Sequence, residues 1–275
     1  MDTVGIIAGS GQLPLHVLGE ALDRGYPVVT IAFSGFTDPD IQGCVDEVFW
    51  LKLGQMGKVI EILKSRAVKR VVMAGKIEKS SLMKLWKLRP DRRALEMLSR
   101  VRDWRDDTLL AAVAEELLKE EIVVDEITSW AGKLMASRGV MTEKSPSNGQ
   151  WKDIEFGRTM AQGIGDLDIG QTVVVKNAAV IAVEAIEGTD RAIRRAGELG
   201  IQGAVVVKMA KPNQDMRFDV PGVGPFTIDS MTAAGASVLA VEAGKTMMTN
   251  CEDMIRKANK AKISIVGIPP AGPVA

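Results

Sequence analysis

Val4-Gly5-Ile6-Ile7-Ala8-Gly9-Ser10-Gly11-Gln12-Leu13-Pro14 lies at the start of the chain. Val4 to Ala8 form an uninterrupted run of apolar and small residues, too short for a helix. Such a run reads as a strand buried on both faces. Gly9-Ser10-Gly11 is a turn, and Pro14 sits near a helix start, where its missing N–H costs nothing. Residues 15–24 carry Leu15, Leu18 and Leu22 on one helical face. Gly25 and Pro27 end that helix, and Val28 to Ala32 read as a second strand. A strand–helix–strand start predicts a parallel, Rossmann-like sheet.

The glycine turn matches only half of a dinucleotide fingerprint. Gly9 and Gly11 are in place, but the third position is Pro14, and Ala32 and Phe33 stand where an acidic residue closes the second strand. A standard NAD site is therefore excluded. Two readings of Gly9, Ser10 and Gly11 remain: amides turned toward a phosphate or sugar, or a turn that needs glycine for conformation alone.

Working outward, strands are expected at 46–51, 70–75 and 122–125 and helices at 57–66, 89–101, 109–121 and 128–137. Lys76 falls at a strand C-terminus, on the side expected to hold Ser10 and Gly11. It reads as a ligand-facing cation or as a solvated loop lysine. Residues 142–150 are the most polar, turn-rich stretch and read as a linker. The expected organisation is an N-terminal Rossmann-like α/β domain over 1–141 and a C-terminal α/β domain over 151–275.

In the second half a helix is expected over 151–163. Strands at 172–176 and 180–185 form a hairpin across Asn177-Ala178-Ala179. Glu187-Gly188-Thr189-Asp190 precedes a helix over 191–199, whose N-terminal amides suit an anion, with Arg194 one turn on. The strand at 203–207 then empties into Lys208-Met209-Ala210-Lys211-Pro212-Asn213-Gln214-Asp215-Met216-Arg217-Phe218-Asp219. Asp215 and Asp219 are candidates for a hard metal or acid/base work, and Lys208, Lys211 and Arg217 for phosphate. The plain alternative is a charged surface loop whose ions pair with one another. Helices at 227–236 and 250–260 alternate with strands at 238–241 and 263–267.

The 275 residues balance 35 Lys and Arg against 35 Asp and Glu. No basic field points to nucleic acid, and 4% aromatics disfavour base stacking. Cys44 and Cys251 stand alone, which argues against zinc and for a reducing compartment. The N-terminus lacks a signal-peptide pattern, and no apolar run approaches the ~20 residues of a membrane span. A soluble, cytoplasmic protein is expected. His16 is the only histidine, which excludes a histidine-rich dimetal centre.

Six stretches in series carry a resemblance: IIAGSGQLP at 6–14, MAGKI at 73–77, LRPD at 88–91, DIGQTVVV at 168–175, EAIEGTDRAIRRAG at 184–197 and VKMAKPNQDMRFDVPGVGP at 207–225. Together they resemble the LpxI-type UDP-2,3-diacylglucosamine pyrophosphatases of lipid A biosynthesis. The resemblance implies hydrolysis of the diphosphate to UMP and 2,3-diacylglucosamine 1-phosphate, assisted by Mg2+ or another divalent cation. It also implies two domains with the lipid product held between them, a homodimer, and transient contact with the inner membrane surface. The family motif RxDxPxVG falls on Arg217 to Gly224 and marks Asp219 as the catalytic or metal-binding carboxylate, with Asp215 second. Lys208 and Arg217 join them as catalytic cations. Substrate contacts are expected from Gly9, Ser10, Gly11, Lys76, Gln171, Glu187, Gly188, Thr189, Asp190, Arg194, Lys211 and Gln214. Leu82, Met83, Leu85 and Trp86 are candidates for an acyl-chain wall, and Arg105 stands where the family commonly has glycine. Two alternatives stay open: a hydrolase of another nucleotide-diphosphate sugar or lipid, and a non-catalytic sensor of such a ligand.

Overall fold

The computed structural model describes residues 2–45, 47–77, 90–101 and 106–270. The acyl-wall candidates Leu82, Met83, Leu85 and Trp86, and Arg105, lie outside the described residues. Two compact units emerge. One comprises Met1–Gly132 with Asp215–Asp219, the other Lys133–Gln214 with Val220–Ala275.

In the first unit the opening run is strand β1 (Val4–Ala8), buried along its whole length. Helix α1 (Leu13–Asp23) follows with Pro14 in its first turn, then β2 (Val28–Phe33). Next come β3 (Val48–Leu51), α2 (Met56–Ser65), β4 (Arg70–Ala74), α3 (Arg92–Leu98), α4 (Asp106–Leu118) and β5 (Val123–Val124). The sheet order is β3-β2-β1-β4-β5, and every pairing is parallel. The chain order therefore reverses between β1 and β4, the topological switch point of a doubly wound sheet. Ile7, Ile31, Leu63, Leu117 and Ile122 fill one core, and Phe218 packs against it.

The helix expected at 128–137 is instead two short 3-10 turns, Ile127–Ser129 and Gly132–Leu134. Trp130 interrupts it. Its buried ring stacks edge-on against Tyr26 at 5.2 Å between centroids, and its Nε1 donates to Asp125 at 3.0 Å. Anchoring one large side chain outweighs a helix propensity that Gly132 already weakens.

The second unit holds β6 (Gly139–Val140), α5 (Asn148–Asp166), β7 (Thr172–Lys176), β8 (Ala179–Val183), α6 (Thr189–Gly197) and β9 (Val205–Lys208). After the charged loop come β10 (Gly222–Val223), α7 (Pro225–Ala234), β11 (Val238–Glu242), β12 (Met247–Met248), α8 (Cys251–Lys260) and β13 (Ser264–Ile268). Its main sheet runs β6-β13-β11-β9-β7-β8. The three central strands are parallel, and the edges are antiparallel. The expected β7–β8 hairpin is present, turning on Asn177 and Ala178 at φ of 50° and 57°. The left-handed region is uncomfortable for alanine. The buried Asp153 carboxylate holds the turn by accepting both backbone amides, at 3.1 and 2.7 Å.

The linker expected at 142–150 lies within this second unit, and the division falls at Gly132 and Lys133. Thr142 Oγ1 accepts from Ile265 N at 2.9 Å, and Glu143 N donates to Asn259 at 3.0 Å. Ser147 and Gln150 form a capping box at the start of α5. The polarity that suggests a linker is thus the polarity of a helix cap.

Two glycines set how closely β1 and β4 continue past their ends. A Cβ on Gly9 would lie 2.8 Å from Lys76 O, and one on Gly75 would lie 2.7 Å from Ser10 O. Gly75 also sits at φ +92°. Gly9→Ala is expected to lower the melting temperature measurably, since forcing backbone apart costs about 1–3 kcal/mol. Gly19→Ala, with open space inside α1, is expected to stabilise by about 0.4–1 kcal/mol. Thermal denaturation of both variants by circular dichroism checks the pair.

Candidate functional site

At the switch point of the first unit, Ser10 and Lys76 meet as an isolated bridge beyond the strand ends. Ser10 N and Ser10 Oγ both donate to Lys76 O at 2.8 Å, Lys76 N donates to Ser10 O at 3.1 Å, and Gly9 N donates to Ala74 O at 2.7 Å. The amides of Gly9 and Ser10, read from sequence as open to a phosphate, are therefore spent on the backbone. Gly11, at φ +90° with open space around it, and the exposed Lys76 remain on that rim.

Asp215–Asp219 packs with this unit through Met216 O, which accepts from Ile127 N at 3.1 Å, and through Phe218. Arg217 grips Asp215 with two prongs: Nε donates to Oδ1 at 2.9 Å and Nη2 to Oδ2 at 2.6 Å. Arg217 N also donates to Oδ1 at 3.1 Å, and the guanidinium lies over the Phe218 ring at 4.8 Å. Hydrogen bonding from Arg217 is the main reason the Asp215 carboxyl is held below its usual range. Expected as a second metal carboxylate, Asp215 already has both oxygens bound by a guanidinium, so in this geometry it is the holder of Arg217. The Asp219 side chain is exposed, and its amide donates to Asp215 O at 3.0 Å.

In the second unit, Thr172 and Lys208 are direct partners across antiparallel β7 and β9. Their side chains therefore share a face. That face is covered by α6, since Val174 and Val206 pack with Ile193. Lys208 is only 4% exposed. Its Nζ donates to Thr189 Oγ1 at 2.7 Å, and Thr189 Oγ1 donates to Glu184 Oε1 at 2.9 Å. Thr172 Oγ1 stands 3.4 Å from Thr189 Oγ1. Glu184 is 7% exposed, and its other oxygen, Oε2, is buried with no hydrogen-bond partner among the described residues. Gln171 Oε1 and Asp190 Oδ1 are buried and unpartnered in the same sense. Gly188, at φ +82°, precedes α6 with no side-chain cap.

Other expected contacts resolve differently. Glu187 is taken by Arg195 at 2.7 Å, and that hydrogen bond is the main cause lowering its pKa. Arg194 lies in the last turn of α6. It serves the negative end of the helix dipole rather than the amides at the other end. Lys211 Nζ donates to Asp168 Oδ1 at 2.6 Å, and Lys211 N donates to Gln214 Oε1 at 2.9 Å. Sequence reasoning missed Glu184 and Glu242 as site residues. Glu242 is 1% exposed, and its Oε2 accepts from Ala210 N at 3.0 Å, which fixes the root of the charged loop. Gly170 is the one local sign of Glu184: a Cβ there would lie 2.1 Å from Glu184 O.

Residues 3–134 match the LpxI N-terminal domain and residues 137–266 the LpxI C-terminal domain. The chain is also 31% identical to a Caulobacter vibrioides protein, UDP-2,3-diacylglucosamine pyrophosphatase LpxI, over 98% of this chain and 99% of that protein. The chain belongs to the LpxI family. Among solved structures, the Bordetella bronchiseptica enzyme WbmH with NAD+ is similar at 17% identity, over 44% of this chain and 37% of that one, with a TM-score of 0.29. CobK precorrin-6A reductase is similar at 12% identity, over 100% and 90%, with a TM-score of 0.31. Scores this low bear on neither fold nor chemistry. The LpxI-family stretches land on the features just described: IIAGSGQLP and MAGKI at the Ser10–Lys76 bridge, EAIEGTD at the Lys208 cluster.

The Asp215–Arg217 pair has a pH signature. A depressed carboxyl pKa adds stability above the ordinary aspartate value of about 3.9. That contribution is lost as pH falls through the lowered value. Both side chains are about a third exposed, so screening keeps it within about 1 kcal/mol. The melting-temperature gap between wild type and Arg217→Met is expected to be largest at neutral pH and to narrow below about pH 4. Melting curves from pH 7 to 2.5 measure it.

Proposed function

We propose that this protein hydrolyses the diphosphate of UDP-2,3-diacylglucosamine, releasing UMP and 2,3-diacylglucosamine 1-phosphate. The observation that carries the reading is the end-to-end match to a protein named for that reaction. The buried Lys208 supports it. A lysine only 4% exposed at a strand end, beside a helix N-terminus with no side-chain cap, favours a phosphoryl group. Water adds its oxygen to one phosphorus and gives up a proton to solvent, the bridging P–O bond breaks, and the leaving phosphate takes the bond's electron pair. Charge on the phosphoryl oxygens rises along this path, so fixed cations lower the barrier.

Asp219 is the carboxylate we assign to the reacting water or to a divalent cation. Among the described residues no three His, Cys, Asp or Glu side chains cluster to hold a metal. A lone exposed carboxylate such as Asp219 suits Mg2+, which uses one or two carboxylates and takes its remaining oxygens from water and substrate phosphates. When bound, the ion would neutralise phosphate charge. Asp219 would hold it, while Arg217 keeps Asp215 occupied. Among the described residues no helix is long and apolar enough to cross a membrane. Access to a diacylated substrate is proposed to come through transient contact with the cytoplasmic face of the inner membrane.

The test is release of UMP from UDP-2,3-diacylglucosamine by the purified chain with Mg2+. Asp219→Ala is expected to lower kcat by about a hundredfold or more while circular dichroism and substrate binding stay as in wild type. Near-normal turnover in that variant would remove Asp219 from the chemistry. Chelation by EDTA should stop wild-type turnover, and added Mg2+ should restore it.

A further inference from the structure

We infer that Thr189 and Glu184 are positioning residues that aim the Lys208 ammonium, forming a one-way relay from Lys208 Nζ through Thr189 Oγ1 to Glu184 Oε1. The inference rests on the pyrophosphatase reading, in which Lys208 meets a phosphoryl oxygen.

The direction of the relay follows from the inventory of donors and acceptors. An ammonium only donates and a carboxylate only accepts. Thr189 has one hydroxyl hydrogen, and Glu184 Oε1 at 2.9 Å takes it. Thr189 must then accept from Lys208 at 2.7 Å. With the hydrogen spent, Thr172 can only donate to Thr189 across 3.4 Å. Both lone pairs of Thr189 are therefore addressed, and the hydroxyl has no freedom to rotate. Burial completes the device. Thr172 is 0% exposed, so water is not there to offer Lys208 an alternative partner on that side. A hydrogen-bond chain in such surroundings is stiffer than the same chain in water.

The backbone repeats the constraint. Thr172 and Lys208 are register partners. Glu184 N donates to Thr172 O at 2.9 Å. Gly170 lets the chain pass so near Glu184 O that no larger residue fits unmoved. Thr189 is the first residue of α6. One hydroxyl therefore ties the helix that offers amides to an anion to the strand that offers the ammonium. The spare Glu184 Oε2 leaves the carboxylate anionic capacity beyond this one bond. Glu184→Gln keeps an acceptor for Thr189, whereas Thr189→Val deletes the middle of the chain with almost no change of shape.

The experiment is a double-mutant cycle on the full chain, read as kcat/KM for UMP release from UDP-2,3-diacylglucosamine with Mg2+. Thr189→Val is expected to lower kcat/KM about tenfold or more, with its melting temperature within a few degrees of wild type. Thr189→Ser, which retains the hydroxyl, should recover most of the rate. In a Lys208→Ala background, Thr189→Val should cost almost nothing further, because a residue that acts only through Lys208 has nothing left to aim. An equal tenfold loss in that background, or full activity of Thr189→Val alone, overturns the relay while the pyrophosphatase reading stands. A folded wild-type chain with no turnover overturns that reading and the relay together.

Discussion

A lysine only 4% exposed, at the end of a central strand, sets requirements that much of the second unit meets. A buried charge is strongly unfavourable unless it is hydrogen-bonded and balanced. Lys208 sits on β9 between two strands, so solvent cannot serve it from the side. Its needs explain why α6 begins at Thr189, why the end of β8 leads to an acidic residue, and why Gly170 brings the chain close to that residue. Glu242 meets a related demand one strand over. It accepts the amide of Ala210, where the chain leaves the sheet and can no longer pair with a strand. Both carboxylates are buried at strand ends, where a loop has to be held rather than merely connected.

The first unit shows how a familiar sheet order can carry a different local device. Its strands run in the order in which dinucleotide-binding sheets present a crevice at the switch point. Here the two loops that would border such a crevice pair with each other, through Ser10 and Lys76. Glycines at 9 and 75 permit that approach, because neither position has room for a Cβ. The same residues that resemble half of a nucleotide fingerprint thus serve backbone-to-backbone contact. The charged loop behaves similarly. Of its two aspartates, Asp215 is held by Arg217, and Asp219 is exposed.

Much of this was legible in the residues. Val4–Ala8 and Val28–Phe33 are strands because their continuous apolar runs suit only a sheet covered on both faces. Asn177-Ala178 marks a hairpin because so short a connection can join only antiparallel neighbours. The charged stretch after β9 announces itself by composition. Less legible were features in which one residue type serves two purposes. Ser147 and Gln150 look like linker residues and are a helix cap. Trp130 sits in a helix-like pattern and breaks it by packing against Tyr26.

By itself, then, the sequence determined the strand-helix alternation, the parallel first sheet and the family to which the chain belongs. These follow from local periodicity, from the spacing of a few glycines and prolines, and from motifs in series. Only the tertiary structure decided which charged groups meet. Asp215 and Arg217 lie two residues apart and pair. Lys208 on β9, Thr189 at the start of α6 and Glu184 just past β8 are separated in sequence and meet around Thr172, which pairs with Lys208 and accepts from the amide of Glu184. Hydrogen bonds depend on distances of about 3 Å and on direction, and the order of residues along a chain specifies neither.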